Sequence, residues 1–380
     1  MANTVTAILP TLYAALRTVS RELVGFIPAV ARDSRAERAA VDQTVSFHTV
    51  PTMSAANIAA ANTLGPTASD TALTSDSMKI TKSRGVPFHW TGEEQLGTGH
   101  SGMRPNVFQQ QFEQAMRTLV NEVEADIAGL YKATSRAIGT AGTTPFASNH
   151  DVTADLKKLL DDNGCPAMDR SLVIDTSAGA NVRKLTHLTK VNESGGDDAL
   201  RRGILLPLNG FDIRESAQIK SHAKGDGATD TTSGTGNTKG VTTIQASAIA
   251  AGDYLPGDVI SIADVAGAYV VVSMNATANT ITIAEPGLLE TAPNGKAITL
   301  ANNYTANIAF HRNSLQLATR APAMPEGGDA ADDVIEIQDP VSGLAFQVAI
   351  YRQRRQIAYE VGLAWGVKGV QAAHAALLLG

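Results

Sequence analysis

The side chains that could carry out chemistry are scattered along this sequence of 380 residues. Its eight histidines, at positions 48, 89, 100, 150, 187, 222, 311 and 374, form neither an HExxH nor an HxxxH pair, the spacings that place two imidazoles on one metal ion. The one cysteine, Cys165, stands before Pro166 outside any CxxC pair. The residue types therefore predict no metal site and no disulfide framework.

Several short stretches resemble known sites but lack their defining residues. GTGNTKG (234–240) has no GK[ST] ending and follows no buried strand, so it does not match a phosphate loop. In GHSGM (99–103) the second glycine directly follows Ser101, unlike the GxSxG of hydrolases. GGDD (195–198) and DAADD (329–333) lack the alternating oxygen ligands of a calcium loop. We expect no catalysis and no cofactor; an enzyme is the alternative if a single Ser or His change abolishes a turnover.

Composition narrows the class of protein further. Hydrophobic residues make up 43% and aromatic residues only 5%, so the cores must be built from Ala, Val, Ile and Leu. The net charge of -6 gives no overall basic field that would attract nucleic acid or an anionic membrane. We find no signal-peptide pattern and no run of 18 apolar residues. The composition predicts a soluble protein of two or three domains, made in a reducing cytoplasm.

The first 100 residues predict two extended elements. In residues 1–43 a helical apolar stripe precedes Pro28, and it suits either a helix on its own domain or an arm on a neighbouring chain. This stripe consists of Leu12, Leu16, Val19, Leu23, Phe26 and Ile27. Residues 44–100 predict a long β-hairpin, with VSFHTVPTM and MKITKSRGVPFHW as strands and a middle almost free of large side chains. Because such a hairpin buries little by itself, we expect it to lie across another subunit.

A long helix follows, predicted over 105–137. Its apolar residues recur at intervals of four or seven residues, which keeps them on one helix face, and they are Phe108, Phe112, Leu119, Val123 and Ile127. At 1.5 Å per residue such a helix is roughly 45–50 Å long, more than a single small domain needs. The stripe predicts a spine helix at the core of its domain.

The rest of the chain predicts an α/β region with an insertion. Helix and strand patterns alternate over 151–223, a polar linker covers 224–239, and four short strands with Gly, Pro and Asn turns follow. These strands predict an autonomous small β-barrel within 224–303. Its predicted core consists of Val259, Ile260, Ile262, Val270, Val272, Ile281, Ile283 and Ile298.

The closing stretch, 342–370, alternates as a two-stranded ribbon but carries several basic side chains. Strand alternation would place Arg352 and Arg354 on one face and Arg355 on the other. Three interpretations stay open for these arginines: a solvated strand face, contact with a neighbouring subunit, or contact with DNA. For a subunit contact, the candidate partners are the acidic stretches Glu326–Asp333 and Glu93–Glu94 of an adjacent chain.

Three passages carry a family resemblance: LLPLNGFDIRES, NIAFHRNSLQLATR and DPVSGLAFQVAIYRQRRQIAYEVGLAWGV. The last two are similar to the AFHR…ALATR and GL…R…LYGV passages of the major capsid (coat) proteins of tailed double-stranded-DNA phages. Nearly the whole chain resembles that family, with its Hong Kong ninety-seven type of fold, and in particular the Salmonella podovirus coat branch with an inserted domain. The hairpin is unusually rich in Ala, Ser and Thr, and the inserted barrel is short for that branch.

The resemblance implies an α+β fold and a division of the chain into parts. These are an N-terminal arm (1–43), an extended loop (44–100), a peripheral domain (101–150 and 304–360), an axial domain (151–223 and 361–380) and the linker with its inserted barrel (224–303). Subunit contacts are expected at Lys79, Lys82, Arg84, Glu93, Glu94, Arg352, Arg354, Arg355 and Trp365.

The function implied is structural. Pentamers and hexamers of the chain would form an icosahedral shell, with a scaffolding protein and a portal as partners, around DNA held without sequence-specific contacts. Assembly would take place in the bacterial cytoplasm and end in the virion. An encapsulin-like shell that encloses protein cargo is the alternative, and DNA inside purified particles would separate the two.

Overall fold

The computed structural model describes residues 23–34, 38–49, 55, 74–100, 104–190, 202–205, 207–227, 230–234, 236–339 and 342–380. Over these residues the fold is α+β, as the sequence predicts: strands dominate, and one long helix crosses the largest core. Within the described part, no helix combines the length and the apolar character that crossing a membrane requires.

The described helices are α1 (Gly92–His100), α2 (Arg104–Ala128), α3 (Asp151–Asp162), α4 (Thr176–Lys184) and α5 (Thr186–Thr189). The first ten strands are β1 (Ala31–Ser34), β2 (Thr44–Thr49), β3 (Thr74–Lys79), β4 (Lys82–Thr91), β5 (Arg136–Ile138), β6 (Arg170–Ile174), β7 (Asp212–Glu215), β8 (Ser221–His222), β9 (Asp230–Thr231) and β10 (Thr243–Gln245). The remaining strands are β11 (Val259–Ile262), β12 (Ala268–Asn275), β13 (Thr280–Ile283), β14 (Ala297–Leu300), β15 (Tyr304–His311), β16 (Leu315–Arg320), β17 (Asp333–Gln338), β18 (Ala345–Gln353), β19 (Gln356–Gly369) and β20 (Ala375–Leu379).

Six of these strands form sheet A, in the order β1-β16-β19-β18-β17 with β4 also on β19. The long strand β19 holds the sheet together: β4 and β18 both pair with its first half, so they lie on opposite edges. Beyond β18, strand β16 pairs with the last six residues of β19. The spine helix, α2, packs on this sheet through β19 and β4.

Sheet B consists of β5, β6, β7, β8, β15 and β20, with β15 between β6 and β20. Helices α3 and α4 bury Leu156, Leu160 and Ala178 against it. Residues 304–311 form β15 in sheet B and residues 361–369 belong to β19 in sheet A, so the predicted segments 304–360 and 361–380 each contribute to both sheets, and the division into domains stays a prediction. Alternation predicts that a segment is a strand, but its partners lie far away in the chain and local sequence does not name them.

Helix α2 follows the predicted apolar stripe. Phe112, Leu119, Val123 and Ile127 are all at most 1% exposed, while Phe108 is partly buried and lies edge-on to Phe112 at 4.9 Å between ring centroids. The predicted end at residue 137 is wrong, because the helix tightens into a 3-10 turn at 129–133 and the chain then enters β5. Strand β5 pairs with both β12 and β20, and this long-range pairing overrides the local helical pattern.

The strands β9 to β14 form a closed ring. They pair in the order β9-β14-β11-β12-β13-β10, and the N–H of Ser247 donates to the carbonyl of Thr231 at 2.8 Å while that of Ser233 donates to Gln245 at 2.8 Å. These two bonds join the first strand to the last. The resulting ring has its own core, which includes Ile260, Ile262, Ile281, Ile283 and Ile298.

Three of the predicted barrel-core residues do not face this core. Val259 and Val270 are buried, but they pack in the cluster around the spine helix. Val272 is 40% exposed because strand alternation puts it on the same side of β12 as Val270, opposite the core members Tyr269 and Val271. The ring is therefore packed from outside as well as inside, and its predicted autonomy stays a prediction.

The polar stretch 224–239, predicted as a linker, contributes to the ring instead. Its strand β9 pairs with β14, and the side chain of Asn237 is buried. Asn237 Oδ1 accepts from the N–H of Gln245 at 2.7 Å, and its Nδ2 donates to the Gln245 carbonyl at 3.1 Å. An amide side chain here imitates a backbone partner, so a sequence without large apolar residues is still held in place.

The second strand of the hairpin is β3 (Thr74–Lys79), which is shorter and begins earlier than the predicted strand MKITKSRGVPFHW. Strands β2 and β3 pair from Thr44↔Lys79 to Thr49↔Thr74, and the chain then leaves the hairpin and enters sheet A as β4. The N-terminal stripe lies mostly outside the described residues. Of its described members, Phe26 and Ile27 are buried in a turn over 26–30, not in a helix, and Leu23 is exposed.

Candidate subunit-contact surfaces

The basic residues at the start of β4 are engaged within the chain. Lys82 Nζ lies 2.9 Å from the carboxylate of Asp126 and 3.3 Å from that of Glu122, both on the spine helix. Arg84 Nε lies 3.4 Å from the same Glu122. Burial acts to lower the pKa of Lys82, but its contacts with Asp126 and Glu122 outweigh burial and raise it. We call Lys82, Arg84, Glu122, Asp126 and Trp365 the spine network.

Trp365 is the interior member of the spine network. It is fully buried, its Nε1–H donates to Asp126 Oδ2 at 2.9 Å, and Lys82 Nζ stands 5.8 Å from its ring centroid. The prediction of Trp365 as a subunit contact is wrong for this reason. Strand alternation did not reveal that Trp365 is buried, because alternation separates an inner from an outer face and β19 is buried on both faces from Val361 to Gly366.

The β2–β3 hairpin contacts sheet A at two places among the described residues. Met78 and Ile80 are buried beside Ala318 and Ala364 of sheet A. Farther out, Lys368 pairs with Asp76, and the hydrogen bond from this lysine holds the pKa of Asp76 below its usual value. In the part of the chain that the structure describes, the two strands pair with each other and with no third strand.

Lys79, at the end of β3, is a predicted contact residue that lies on the surface. Its side chain is 63% exposed and reaches only Asp42, 4.0 Å away. The residue is therefore placed where a neighbouring subunit could meet it, and its contact role stays a prediction.

The arginines at the end of sheet A lie in a turn. Strand β18 ends at Gln353 and β19 begins at Gln356, so Arg354 and Arg355 form the loop between them, with Arg355 at a φ of 61°. The predicted alternation of Arg352 and Arg354 on one strand face is therefore wrong. Both loop residues are exposed, and neither guanidinium has a hydrogen-bond or ion-pair partner among the described residues. Arg352 pairs with Asp332 of its own chain.

A cavity of about 730 Å³ lies against this turn. The arginines line one side, and the end of β4 with the start of α1 lines the other, where Glu93 is exposed. Glu94 caps the helix: its carboxylate accepts the N–H of Thr91 at 2.8 Å, which lowers the pKa of Glu94, while Thr91 Oγ1 accepts the N–H of Glu94 at 3.3 Å. Glu94 thus has a role within the chain, whereas Glu93 remains available for contact.

Sequence reasoning missed a buried carboxylate on the spine helix. Glu124 is completely buried and accepts the backbone N–H groups of Gly25, Phe26 and Ile27 at 2.6, 2.8 and 3.0 Å. Burial raises the pKa of Glu124, and these hydrogen bonds oppose the rise. The side chain therefore fastens the segment after residue 22 to the spine helix. The sequence feature that could have revealed it is an acidic residue next to Val123 of the apolar stripe, because a buried carboxylate needs hydrogen-bond partners.

A second buried polar group joins the strand ring to the spine helix. His222 Nδ1 lies 2.8 Å from the hydroxyl of Tyr131, and its Nε2 lies 2.7 Å from Asp258 Oδ1. All three side chains are buried, and Asp258 also accepts the N–H of Leu255 at 2.6 Å. The arrangement is a fully hydrogen-bonded polar bridge between elements far apart in sequence, and single histidines gave no hint of it. Across the described residues, no cluster of three His, Cys, Asp or Glu side chains could hold a metal ion.

Comparisons with known proteins give structural similarities only. No protein-family model and no curated protein matches the chain. The capsid structure of the cyanophage P-SCSP1u is similar with a TM-score of 0.44 at 12% identity, over 94% of this chain and 88% of that one. The capsid of an empty GTA particle has a TM-score of 0.45 at 11% identity, over 96% and 91%. A virus-like particle from Pyrococcus furiosus has a TM-score of 0.42 at 9% identity, over 98% of both chains.

Proposed function

We propose that this chain is the major capsid protein of a tailed double-stranded-DNA phage, a structural protein that assembles into an icosahedral shell of pentamers and hexamers. The observation that carries the proposal is the β2–β3 hairpin. Outside its root at Met78 and Ile80, its described side chains between Thr44 and Lys79 are exposed or half-buried. A two-stranded hairpin with so little burial is marginal in water by itself. It is stabilised if it lies on another copy of the chain.

The charge of the molecule fits a shell around DNA. With a net charge of -6, the chain has no overall attraction for phosphate, and a packaged genome can move past it without being held. The DNA contact left open for Arg352, Arg354 and Arg355 is the weaker interpretation, because these residues lie at one end of sheet A and Arg352 is already paired. We therefore propose that the shell encloses DNA without sequence-specific contacts. A scaffolding protein and a portal are the further partners that a shell of this kind needs to form and fill.

The test compares assembly of the full chain with assembly of a chain that lacks residues 50–73, which connect β2 to β3. Because Thr49 and Thr74 pair directly, residues 50–73 can be replaced by Asn-Gly, a two-residue turn that suits adjacent antiparallel strands. We expect the wild-type chain, expressed in bacteria, to form closed particles visible by negative-stain electron microscopy. The shortened chain should stay soluble and folded but form none. Closed particles from the shortened chain would remove the observation on which the proposal depends.

The contents of the particles distinguish the two kinds of shell. A capsid isolated from infected cells should contain nuclease-protected double-stranded DNA. Particles that hold a specific protein and no DNA would instead support the cargo-enclosing alternative. Assembly in the cytoplasm followed by incorporation into the virion is part of the same proposal, and fractionation of infected cells over time tests it.

A further inference from the structure

The turn at Arg354–Arg355 and the acidic residues 326–333 lie at the same end of sheet A, the turn between β18 and β19 and the acidic residues before β17. Strand β4 flanks β19 on one edge and β18 flanks it on the other, with β17 outside β18. The order across this end is therefore β4-β19-β18-β17, a span of roughly 15 Å at the usual strand spacing. The cavity opens on the β4 side, and residues 326–333 lead into β17.

The cavity is positively charged. Three arginines line it against one glutamate, Glu93, and the other polar lining groups are neutral. Arg352 is neutralised by Asp332, but Arg354 and Arg355 have no partner among the described residues. Two adjacent unpaired guanidiniums repel each other, and arginine is the side chain best suited to bind carboxylates in a bidentate manner.

The acidic segment, residues 326–333, carries four carboxylates and no basic side chain. In its own chain the segment reaches the cavity at Arg352, which pairs with Asp332, and Arg354 and Arg355 are left without a partner among the described residues. Two further contacts hold the segment on the β17 side. The N–H of Asp332 donates to the Ile350 carbonyl at 2.8 Å, and the hydroxyl of Tyr351 donates to Asp329 Oδ2 at 2.5 Å. Glu326 is exposed and has no partner among the described residues. The remaining residues are Gly and Ala, so the segment is slim enough to enter a cavity of this size.

We propose that the acidic segment of a second copy of this chain binds in the arginine cavity. This inference rests on the proposed function, since it names one of the contacts through which the shell would close. The contact is head-to-tail: each copy offers its cavity to one neighbour and its acidic segment to another. Contacts of this type close into rings when the rotation between copies allows it, and so each sheet end would join a ring of identical ends.

A charge exchange tests the pairing. We expect Arg354→Glu/Arg355→Glu to lower the yield of closed particles at least about tenfold, because like charges then face each other across the contact. The reversal of the segment, Glu326→Arg/Asp329→Arg, should do the same. The chain that carries all four changes should recover particles, since attraction is restored with the signs exchanged. Lys220→Glu, an exposed charge reversal on another surface, is the matched control and should assemble normally.

Folding and function are checked separately. Circular dichroism and the unfolding midpoint of the unassembled subunits should match wild type in the cavity variants. In the variants with Asp329→Arg they should match Tyr351→Phe, which loses the same hydrogen bond without a change of charge. If the reversed cavity misfolds, the neutral Arg354→Gln/Arg355→Gln chain replaces it and should also lose particles. Normal particles from either cavity variant overturn the proposal, and so does a four-change chain that fails to recover. If the wild-type chain itself forms no particles, both the proposed function and the proposed contact fail. If the wild-type chain assembles and the variants give the same particle yield, only the pairing of the acidic segment with the cavity fails.

Discussion

Sheet A carries two groups of basic side chains, about 30 Å apart along β19. At one end Lys82 and Arg84 meet Glu122 and Asp126 of the spine helix, and Trp365 is buried beneath them. At the other end Arg354 and Arg355 extend from a turn and have no partner among the described residues. The same residue types therefore have different roles. The spine network contributes to the stability of one subunit, whereas the turn has charge left for another molecule.

Because of this difference, mutations can separate the stability of the subunit from its assembly, two properties that most substitutions change together. Changes near the spine helix should lower the stability of the isolated subunit, and assembly should fall only as a consequence. Changes at the turn or on the exposed side of the hairpin should leave the subunit as stable as before and affect assembly alone. The predictions below run from the largest expected effect on stability to the smallest.

The largest effect is expected in the core under the spine network. Leu119 is 1% exposed in the middle of α2, so Leu119→Ala removes buried methyl groups and leaves a cavity, at a cost of about 2–5 kcal/mol in the free energy of unfolding. Urea denaturation of the unassembled subunit measures the loss. Because this helix supports sheet A along its length, misassembled or temperature-sensitive particles should accompany it.

The control for Leu119→Ala is its neighbour. Thr118 is exposed on the same helix turn, and Thr118→Ala should change the free energy of unfolding by no more than about 0.5 kcal/mol. Equal unfolding midpoints for the two variants would show that the apolar stripe is not the core of the subunit.

The sequence predicted this core well because its signal is local. Phe112, Leu119, Val123 and Ile127 are spaced by seven, four and four residues, which keeps them on one helix face, and a period of this kind is visible without knowledge of the partner. The end of the helix was missed because β5 is a strand only through its pairing with β12 and β20. The exposure of Val272 was missed because the barrel core was assigned to Val270 and Val272, whereas β12 turns Tyr269 and Val271 toward that core.

The candidate contact surface was harder to predict than the core. Strand alternation applied to Arg352–Arg355 assumed an uninterrupted strand, although two residues of that stretch form a tight turn without Gly, Asn or Asp. Trp365 was predicted as a subunit contact, but it is buried under α2 and its Nε1–H donates to Asp126 of that helix. What a surface touches depends on other copies of the chain, and no residue pattern within one copy carries that information.

A smaller effect should appear on acidification, at the two places where the chain crosses between the sheets. His311 precedes β16 and His374 precedes β20, and their rings lie edge-on with centroids 6.2 Å apart. Burial lowers the pKa of both, and the charge of Arg170 acts in the same direction, whereas Asp169 opposes it at His311. In the folded chain these pKa values lie below the ordinary histidine value of about 6.5. Their contribution to stability is therefore complete above that pH and is lost as the pH falls through it.

The measurement is the urea midpoint of the unassembled subunit between pH 7.5 and pH 5. We expect the midpoint to fall as the solution becomes acidic, and the fall to be smaller in His374→Gln, where one of the two titrating groups is removed. His89→Gln, at an exposed histidine on β4, is the control and should keep the wild-type slope. If the urea midpoint changes with pH by the same amount in all three chains, protonation of His311 and His374 does not affect the stability of the subunit.

The smallest effect on stability is expected at Lys79, and it gives the sharpest form of the comparison because Lys82 stands three residues away. Lys82 is one third exposed and contacts two carboxylates, so Lys82→Ala should cost the subunit about 1 kcal/mol or more by leaving Asp126 and Glu122 without their shared cation. Lys79 is 63% exposed and stands 4.0 Å from Asp42, which is even more exposed, a geometry that contributes about 0–0.5 kcal/mol in water. Lys79→Ala should therefore leave the urea midpoint of the subunit unchanged.

If Lys79 meets a neighbouring copy in the shell, as predicted, the same variant should still lower particle yield, and by a factor that shrinks as salt rises. Particle yield that follows subunit stability in both lysine variants would contradict the separation, because Lys79 would then contribute to neither property.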